Sequence, residues 1–463
     1  MIADLKPYPA YKESETNGFG CFPHHWHIRR LKSAVANHVD QTNRMEHDDV
    51  YVALEHVESW TGKVRPQTDA NLFTGQVKRF RSGDVLFGKL RPYLAKATRL
   101  SVGGVCAGEF FVFRPTDPTL QPAYLELLIR SRLSIDLINS STFGAKMPRA
   151  DWQFVGNMRI PLPPPAEQAA IVRFLDHWNG RLEKAIRSKR RVIALLQEQK
   201  QAIIHRAVTR GLDPDVKLKD SGIPWLGGIP AHWEIWRISR FARVGNGSTP
   251  SRAKPAYWTG GLYPWLNSSQ VNRGFIDSSD QFVTHIALRE CHLPKVPAGS
   301  VLVAITGQGK TRGMSAVLGV EATINQHIAF ITPRIQIASP DFIHLALSAA
   351  YLQLRAASED AGSTKGAITC EDLKRFKIAV PPRIEQEALL KTVQAETATL
   401  TTAIARFERE ITLLREYRTR LTADVVTGKL DVRAAAAQLP DSEQEPAVLE
   451  APEEECELEE VEG

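Results

Sequence analysis

The chain has 463 residues, with 58 Lys and Arg against 52 Asp and Glu, 43% hydrophobic residues and ordinary Gly and Pro content; this fits two to four globular domains and excludes a fibrous or largely disordered chain. No apolar run reaches membrane-spanning length, residues 1–9 lack the apolar core of a signal peptide, and the five cysteines are scattered without a C-x-x-C pair, so a reducing compartment, the cytoplasm, is expected. The charge is split: residues 441–463 hold eleven Asp and Glu and no Lys or Arg, leaving 58 Lys and Arg against 41 Asp and Glu before them, a net +17 that points to a polyanionic partner, with nucleic acid leading.

In chain order, residues 50–54, 85–87 and 110–113 read as short β-strands and residues 124–137 as an amphipathic helix. Residues 160–213 then form a proline-rich lead-in and one long helix. Pro163, Pro164 and Pro165 disfavour helix before them and suit a helix start, and Glu167 and Gln168 bring acceptors to the first-turn N–H groups. Residues 214–229, with their Pro and Gly, read as a linker. Strands at 301–305 and 328–331 and a helix over 342–354 follow, and residues 378–431 give a second proline-led helix.

The two long helices are one element written twice. At a constant offset of 218, Pro163, Glu167, Gln168, Leu196, Val208 and Asp213 face Pro381, Glu385, Gln386, Leu414, Val426 and Asp431. The second helix carries Leu400, Ile404, Phe407, Ile411, Leu414, Arg418, Leu421 and Val425 at alternating steps of four and three, a heptad seam. The first carries Leu182, Ile186, Lys189, Ile193, Leu196, Lys200, Ile203 and Ala207, with lysines at two seam positions. Gly211 and Gly428 supply stop signals. Each helix would run roughly 44 residues, about 65 Å. Leu182, Ile186, Ile193, Leu196, Ile203, Leu400, Ile404, Phe407, Ile411, Leu414 and Leu421 are the expected helix–helix contacts.

The repeat extends further. His25-Trp26 faces His232-Trp233 at offset 207, Tyr51 faces Tyr263 at 212, Gly83 faces Gly299 at 216, and Pro122 faces Pro340 at 218. A slowly growing offset is what loop insertions leave in a duplicated unit. The expected fold class is α+β and internally duplicated, with two mixed α/β globular domains connected by two long antiparallel coiled-coil helices. The expected divisions are an N-terminal extension (1–22), a first globular domain (23–159), a first spacer helix (160–213), a linker (214–229), a second globular domain (230–377), a second spacer helix (378–433) and an acidic, disordered tail (434–463).

Scaffold positions recur between the halves, whereas polar loops differ. The first half offers Lys78, Arg79, Arg81, Lys89, Arg91, Lys96 and Arg99; the second offers Arg252, Lys254, Asn267, Ser268, Gln270, Asn272, Arg273, Lys310 and Arg312. Such basic, amide and hydroxyl side chains suit phosphate anchoring and base-edge hydrogen bonding, and two loop sets on one scaffold suggest two different sites read by one chain. A solvated surface charge is the competing reading for each of them taken singly. Arg181, Lys184, Arg187, Arg190 and Arg191 could face DNA, an acidic partner or solvent.

Catalytic signals fail on inspection. The stretch from Ala304 to Thr311 imitates a phosphate-binding loop but has Ala304 where the tight turn needs Gly. Cys21, His24, His25 and His27 lack a second ligand pair for a metal. Asn17 to Gly20 lacks the strand that precedes a dinucleotide-binding turn, and neither an amino-methyltransferase motif nor a metal-dependent nuclease cluster occurs.

The chain resembles the specificity subunits of type I restriction-modification systems. The likeness rests on Pro163-Pro164 with Glu167-Gln168 and their repeat Pro381-Pro382 with Glu385-Gln386, and on Gly222 to Pro230 leading to His232-Trp233. It also rests on Val244 to Pro250 with Tyr257-Trp258, and on Gly83 to Phe87 with Lys89 to Tyr93. This resemblance implies a non-catalytic DNA reader whose two target-recognition domains each read half of a bipartite, asymmetric sequence. The helices would set the half-site interval and dock two modification (methyltransferase) subunits. Those subunits bring S-adenosylmethionine and methylate the N6 of adenine; a restriction subunit using ATP and Mg²⁺ can join, and this chain would bind no cofactor itself. The alternatives are a stand-alone or fused DNA methyltransferase or nuclease of the same lineage, or a coiled-coil scaffold for proteins. The acidic tail falls outside the family pattern.

Overall fold

The computed structural model describes residues 5–13, 20–68, 75–144, 147–307, 309–359 and 366–440. Of the tail expected to be disordered over 434–463, residues 434–440 are instead folded, with a short helix Arg433–Ala437 that buries Ala435 and Ala436, because the alanines and Leu439 pack on the core that holds Trp26 and Tyr124. Residues 441–463, Gln308 and Asn17-Gly18-Phe19 lie outside the described residues. Among the described residues the chain forms two compact units, one from residues up to 190 together with 408–440, the other from residues 191–407. Each unit thus takes about half of each long helix.

In the first unit, strands Gln41–Thr42, Val77–Phe80, Gly104–Ala107 and Val50–Val52 form one sheet in that order, with the last pair parallel. Val35–Asn37, Phe110–Pro115, Val85–Gly88 and Ala97–Arg99 form a second, wholly antiparallel sheet. The second unit has a five-stranded sheet in the order Ala242–Asn246, Ile328–Pro333, Val301–Ala304, Ser315–Leu318, Phe275–Ile276. A three-stranded sheet of Gln281–Val283, Tyr263–Leu266 and Thr323–Ile324 accompanies it. The expected strands at 50, 85, 110, 301 and 328 are all present. Both expected amphipathic helices are broken in two. Ser131, in an extended conformation, separates Pro122–Arg130 from Arg132–Ser140 and caps the latter, and Ala350 separates Pro340–Ala349 from Tyr351–Glu359.

The long helices span Pro165–Arg210 and Arg383–Val426, the first of 46 residues or about 69 Å. In the first unit, Phe174 and Leu175 of one helix and Leu421 and Val425 of the other join a core around Trp26, Phe113 and Tyr124. In the second unit, Ile204 and Val208 join Leu389 and Val393 around Trp233, Phe241 and Phe342. Along both helices the expected seam positions are buried or half-buried while their neighbours Leu195 and Leu413 are exposed. The cations on the seam reach across to the facing helix. Lys189 Nζ lies 2.5 Å from Glu410 and Lys200 Nζ 3.0 Å from the Thr401 hydroxyl. Arg418 sits 3.2 Å from Glu183, which also holds Lys63 at 2.9 Å. Within each unit the partner numbers fall on one helix as they rise on the other, so the segments run antiparallel.

Burial pushes the Glu183 carboxyl up, but the hydrogen bond from Lys63 and the charges of Lys63, Arg418 and Arg187 outweigh it and hold its pKa below the ordinary value. A depressed carboxylate stabilises the fold above its unfolded pKa, about 4.3, and loses that contribution as pH falls through the folded value. Glu183→Gln is therefore expected to lower Tm at pH 7, with the gap to the unaltered protein closing below about pH 4; calorimetric scans over that range check it.

The helix starts differ from expectation in an informative way. Glu167 and Gln168 do not fold back onto the first turn; they clamp the globular part. Gln168, fully buried, donates to the carbonyls of Thr119 and Pro163 (both 2.8 Å) and accepts from the Gln121 N–H at 2.8 Å. Gln386 repeats this with Ile337 at 2.8 Å, Pro381 at 3.0 Å and the Ser339 N–H at 3.0 Å. Glu167 meets His25 at 2.8 Å, while Glu385 meets His232 at 2.9 Å and accepts from the Trp233 indole at 3.0 Å. Carboxylates here serve a corner where an exposed histidine sits beside a buried tryptophan, because the proline lead-in already fixes the helix start.

Two segments read as connectors are structural. Leu218–Asp220, inside the expected linker, pairs antiparallel with Gly228–Pro230, and Tyr11–Glu13, inside the expected extension, pairs the same way with Cys21–Pro23. Lys219 donates to the Trp233 carbonyl and Lys12 to the Trp26 carbonyl.

Candidate nucleic-acid interface

In both units the loop after the central strand is stapled to a later segment in the same way. The Ala150 N–H donates to Lys89 O in the first unit and the Ile368 N–H to Ile305 O in the second, each at 2.8 Å. The loops beginning at Lys89 and at Ile305 therefore hold corresponding places with different side chains.

In the second unit the 3-10 turn Ser268–Arg273 meets the loop that follows strand Val301–Ala304, where Asn272 Nδ2 donates to the Thr311 hydroxyl at 3.2 Å. Tyr351 and Arg355 fix that loop through the carbonyls of Lys310 and Gly309, both at 2.7 Å, leaving the Lys310 side chain exposed. Arg273 is exposed 3.3 Å from Asp280. Ser268 is half-buried on the same turn, and Asn267 caps it, accepting from the Ser269 N–H at 3.1 Å. Arg252 stacks 3.8 Å over Trp258 and donates to Gln281 at 2.6 Å. Lys254 is held by Glu290 at 2.8 Å and Tyr257 at 2.9 Å, hydrogen bonds that raise its pKa above lysine's ordinary value.

In the first unit Arg81 and Arg91 are exposed, Arg91 in the left-handed region at φ 50° with its N–H on Pro148 O. Lys89 is half-buried. Arg79 bridges Glu46 and Asp49, both at 3.0 Å, Lys96 donates to Leu54 O at 3.0 Å, and Arg99 lies 3.7 Å from Glu126.

Three expected surface contacts are corrected by burial. Lys78 donates to Phe110 O at 2.6 Å, and desolvation, then Lys89, lowers its pKa; a strand position facing inward explains it. Arg312 donates to Gly366 O at 2.7 Å, tying down its loop. Gln270 is buried, with Nε2 toward Asp280.

Sequence reasoning missed a polar chain across three loops. The Thr249 hydroxyl lies 2.5 Å from Gln326, Gln326 is 3.2 Å from His327, and His327 Nδ1 is 2.7 Å from the Thr306 hydroxyl. It missed Arg149 too, which meets Glu109 at 3.0 Å. A signal existed: at offset 218 His327 faces Glu109, each immediately before a central strand. Among the described residues no cluster of His, Cys, Asp or Glu could hold a metal ion, and no helix is long and apolar enough to cross a membrane.

Exposed cations such as Arg81, Arg91, Arg273 and Lys310, beside the exposed amide of Asn272, are side-chain types that suit phosphates and base edges. Comparison with known proteins agrees. Residues 230–411 match the family model of the type I restriction modification DNA specificity domain. The type I restriction enzyme EcoR124I/EcoR124II specificity subunit of Escherichia coli is 26% identical over 264 residues, covering 55% of this chain and 59% of that relative, less than two thirds of its length. The putative type I restriction enzyme MjaX specificity subunit of Methanocaldococcus jannaschii is 22% identical over 91% of this chain and 98% of the relative. A solved chain from a study of complex assembly and conformational transition of the type I restriction-modification system shares the fold, with TM-score 0.61 at 20% identity, covering 88% of this chain and 99% of that one. In its matched domain and its relatives the chain is similar to type I restriction-modification specificity subunits, and it shares the fold of the solved chain.

Proposed function

We propose that the chain is the non-catalytic DNA reader of a type I restriction-modification complex. Its two units are a duplicated pair of target-recognition domains, each reading one half of a bipartite, asymmetric duplex target. One observation carries this reading: the two units hold corresponding loops by matching backbone staples yet fill them with different polar side chains. That is what two different half-sites require. The two long helices, packed along heptad seams, act as coiled-coil spacers that set the half-site interval and dock two methyltransferase subunits. S-adenosylmethionine, and ATP with Mg²⁺ where a restriction subunit joins, come with those partners, and the complex works on cytoplasmic DNA.

The test is a genome-wide map of methylated adenine with the gene intact and deleted. Loss of methylation at one split, asymmetric motif on deletion supports the reading; an unchanged map with a bound, active methyltransferase overturns it. Lys310→Ala and Arg273→Ala are each expected to weaken duplex binding about equally on target and non-target sequences and to reduce the salt slope by about one. Fluorescence anisotropy titrations at several salt concentrations read both effects.

A further inference from the structure

The first unit contains a groove of about 1120 Å³ that the reading above does not use. Its lining holds eight cationic side chains against two carboxylates, Asp176 and Glu183, and Glu183 is already met by Lys63 and Arg418. Along one wall, Arg173, Arg181, Lys184 and Arg187 follow one another at steps that keep them on one stripe of the first long helix. Arg181, Lys184 and Arg187 are exposed. Such a stripe in a concave site concentrates positive potential and selects an extended polyanion.

The far end of the groove is lined by Leu439 and Pro440. Arg173 Nη2 donates to the Leu439 carbonyl at 2.6 Å, so a cation of the groove wall fixes the backbone two residues before Asp441. From that point the sequence runs through eleven acidic residues in 23 positions with no Lys or Arg. Its extended reach, about 75 Å, exceeds the stripe from Arg173 to Arg187, about 20 Å. A tether of this kind supplies an effective concentration on the order of millimolar, enough to fill the groove through individually weak charge contacts. We propose that the groove is the docking site of the chain's own acidic segment, residues 441–463, which masks the basic stripe from other polyanions.

The test needs neither target DNA nor a methyltransferase, so its failure is separate from failure of the DNA-reading role. A chain ending at Pro440 is titrated with a fluorescent peptide of residues 441–463, and anisotropy is read at low and high salt. Saturable, salt-sensitive binding is expected. It should weaken about tenfold or more in Arg181→Glu/Lys184→Glu/Arg187→Glu, and to a similar degree in the full chain, whose groove is already occupied. A thermal melt confirms that the variant is folded; if it is not, Lys184→Ala/Arg187→Ala replaces it. Absence of binding, or binding that ignores these substitutions, overturns the proposal. So does a short duplex of arbitrary sequence that depends on the stripe when the peptide does not, because the groove is then a nucleic-acid surface.

Discussion

Gln386→Leu is expected to cost about 3 kcal/mol or more, because three backbone groups, two of them in buried bonds, lose their partner at about 1–3 kcal/mol each. Leucine fills nearly the same space, so the loss isolates hydrogen bonding from packing. The Ile337 and Pro381 carbonyls and the Ser339 N–H would be stranded where the glutamine is fully buried. At about 2–4 °C per kcal/mol for a unit of this size, Tm should fall by roughly 6–12 °C. Gln168→Leu should match it, since its three bonds have the same geometry around Thr119, Pro163 and Gln121. Calorimetry of both variants decides; a shift under about 2 °C in either would mean that the bonds are replaced by water.

The second large effect separates two glycines that look alike in sequence. Gly211 and Gly428 follow the long helices at φ 76° and 75°, where an L-residue costs roughly 1–2 kcal/mol. A methyl group at Gly211 would sit 3.3 Å from the Trp233 ring, tight but tolerable. At Gly428 it would come within 2.5 Å of Pro23 Cδ and 2.9 Å of the Trp26 ring, two rigid groups in a packed corner. Gly211→Ala is expected to cost about 1–2 kcal/mol, and Gly428→Ala about 3 kcal/mol or more as overpacking adds to backbone strain. Urea unfolding of the pair gives the difference directly; equal costs would show that the Trp26 corner yields.

Much of this organisation was legible in the residues. The heptad seams, the glycine stops and the strands at Val85, Phe110, Val301 and Ile328 follow local rules of periodicity and turn chemistry, which a sequence displays directly. The functions of Glu167, Gln168, Glu385 and Gln386 were hidden. Apart from the nearby Pro163 and Pro381 carbonyls, their hydrogen-bond partners lie 47 to 153 residues away, and only the folded chain brings His25, His232 and the other carbonyls within reach. Lys78 and Arg312 were misjudged for the same reason: a basic residue on a strand or in a loop displays its charge in sequence but not its direction. The chain Thr249–Gln326–His327–Thr306 joins loops through tertiary contact alone. The paired strands around Tyr11 and Leu218 escaped because three-residue runs beside Pro and Gly carry too little pattern.

The division of each long helix between two cores bears on the order of folding during synthesis. Residues 191–407 form one core from a continuous stretch of chain, whereas the core around Trp26 and Tyr124 waits for Leu421, Val425 and the Val426 carbonyl, which accepts from the Tyr124 hydroxyl at 3.2 Å. At about 5–20 residues per second on the ribosome, the part made first stays open for tens of seconds, its apolar faces uncovered until the last helix arrives. Of the two units, the one that begins earlier in the chain is thus the later to close.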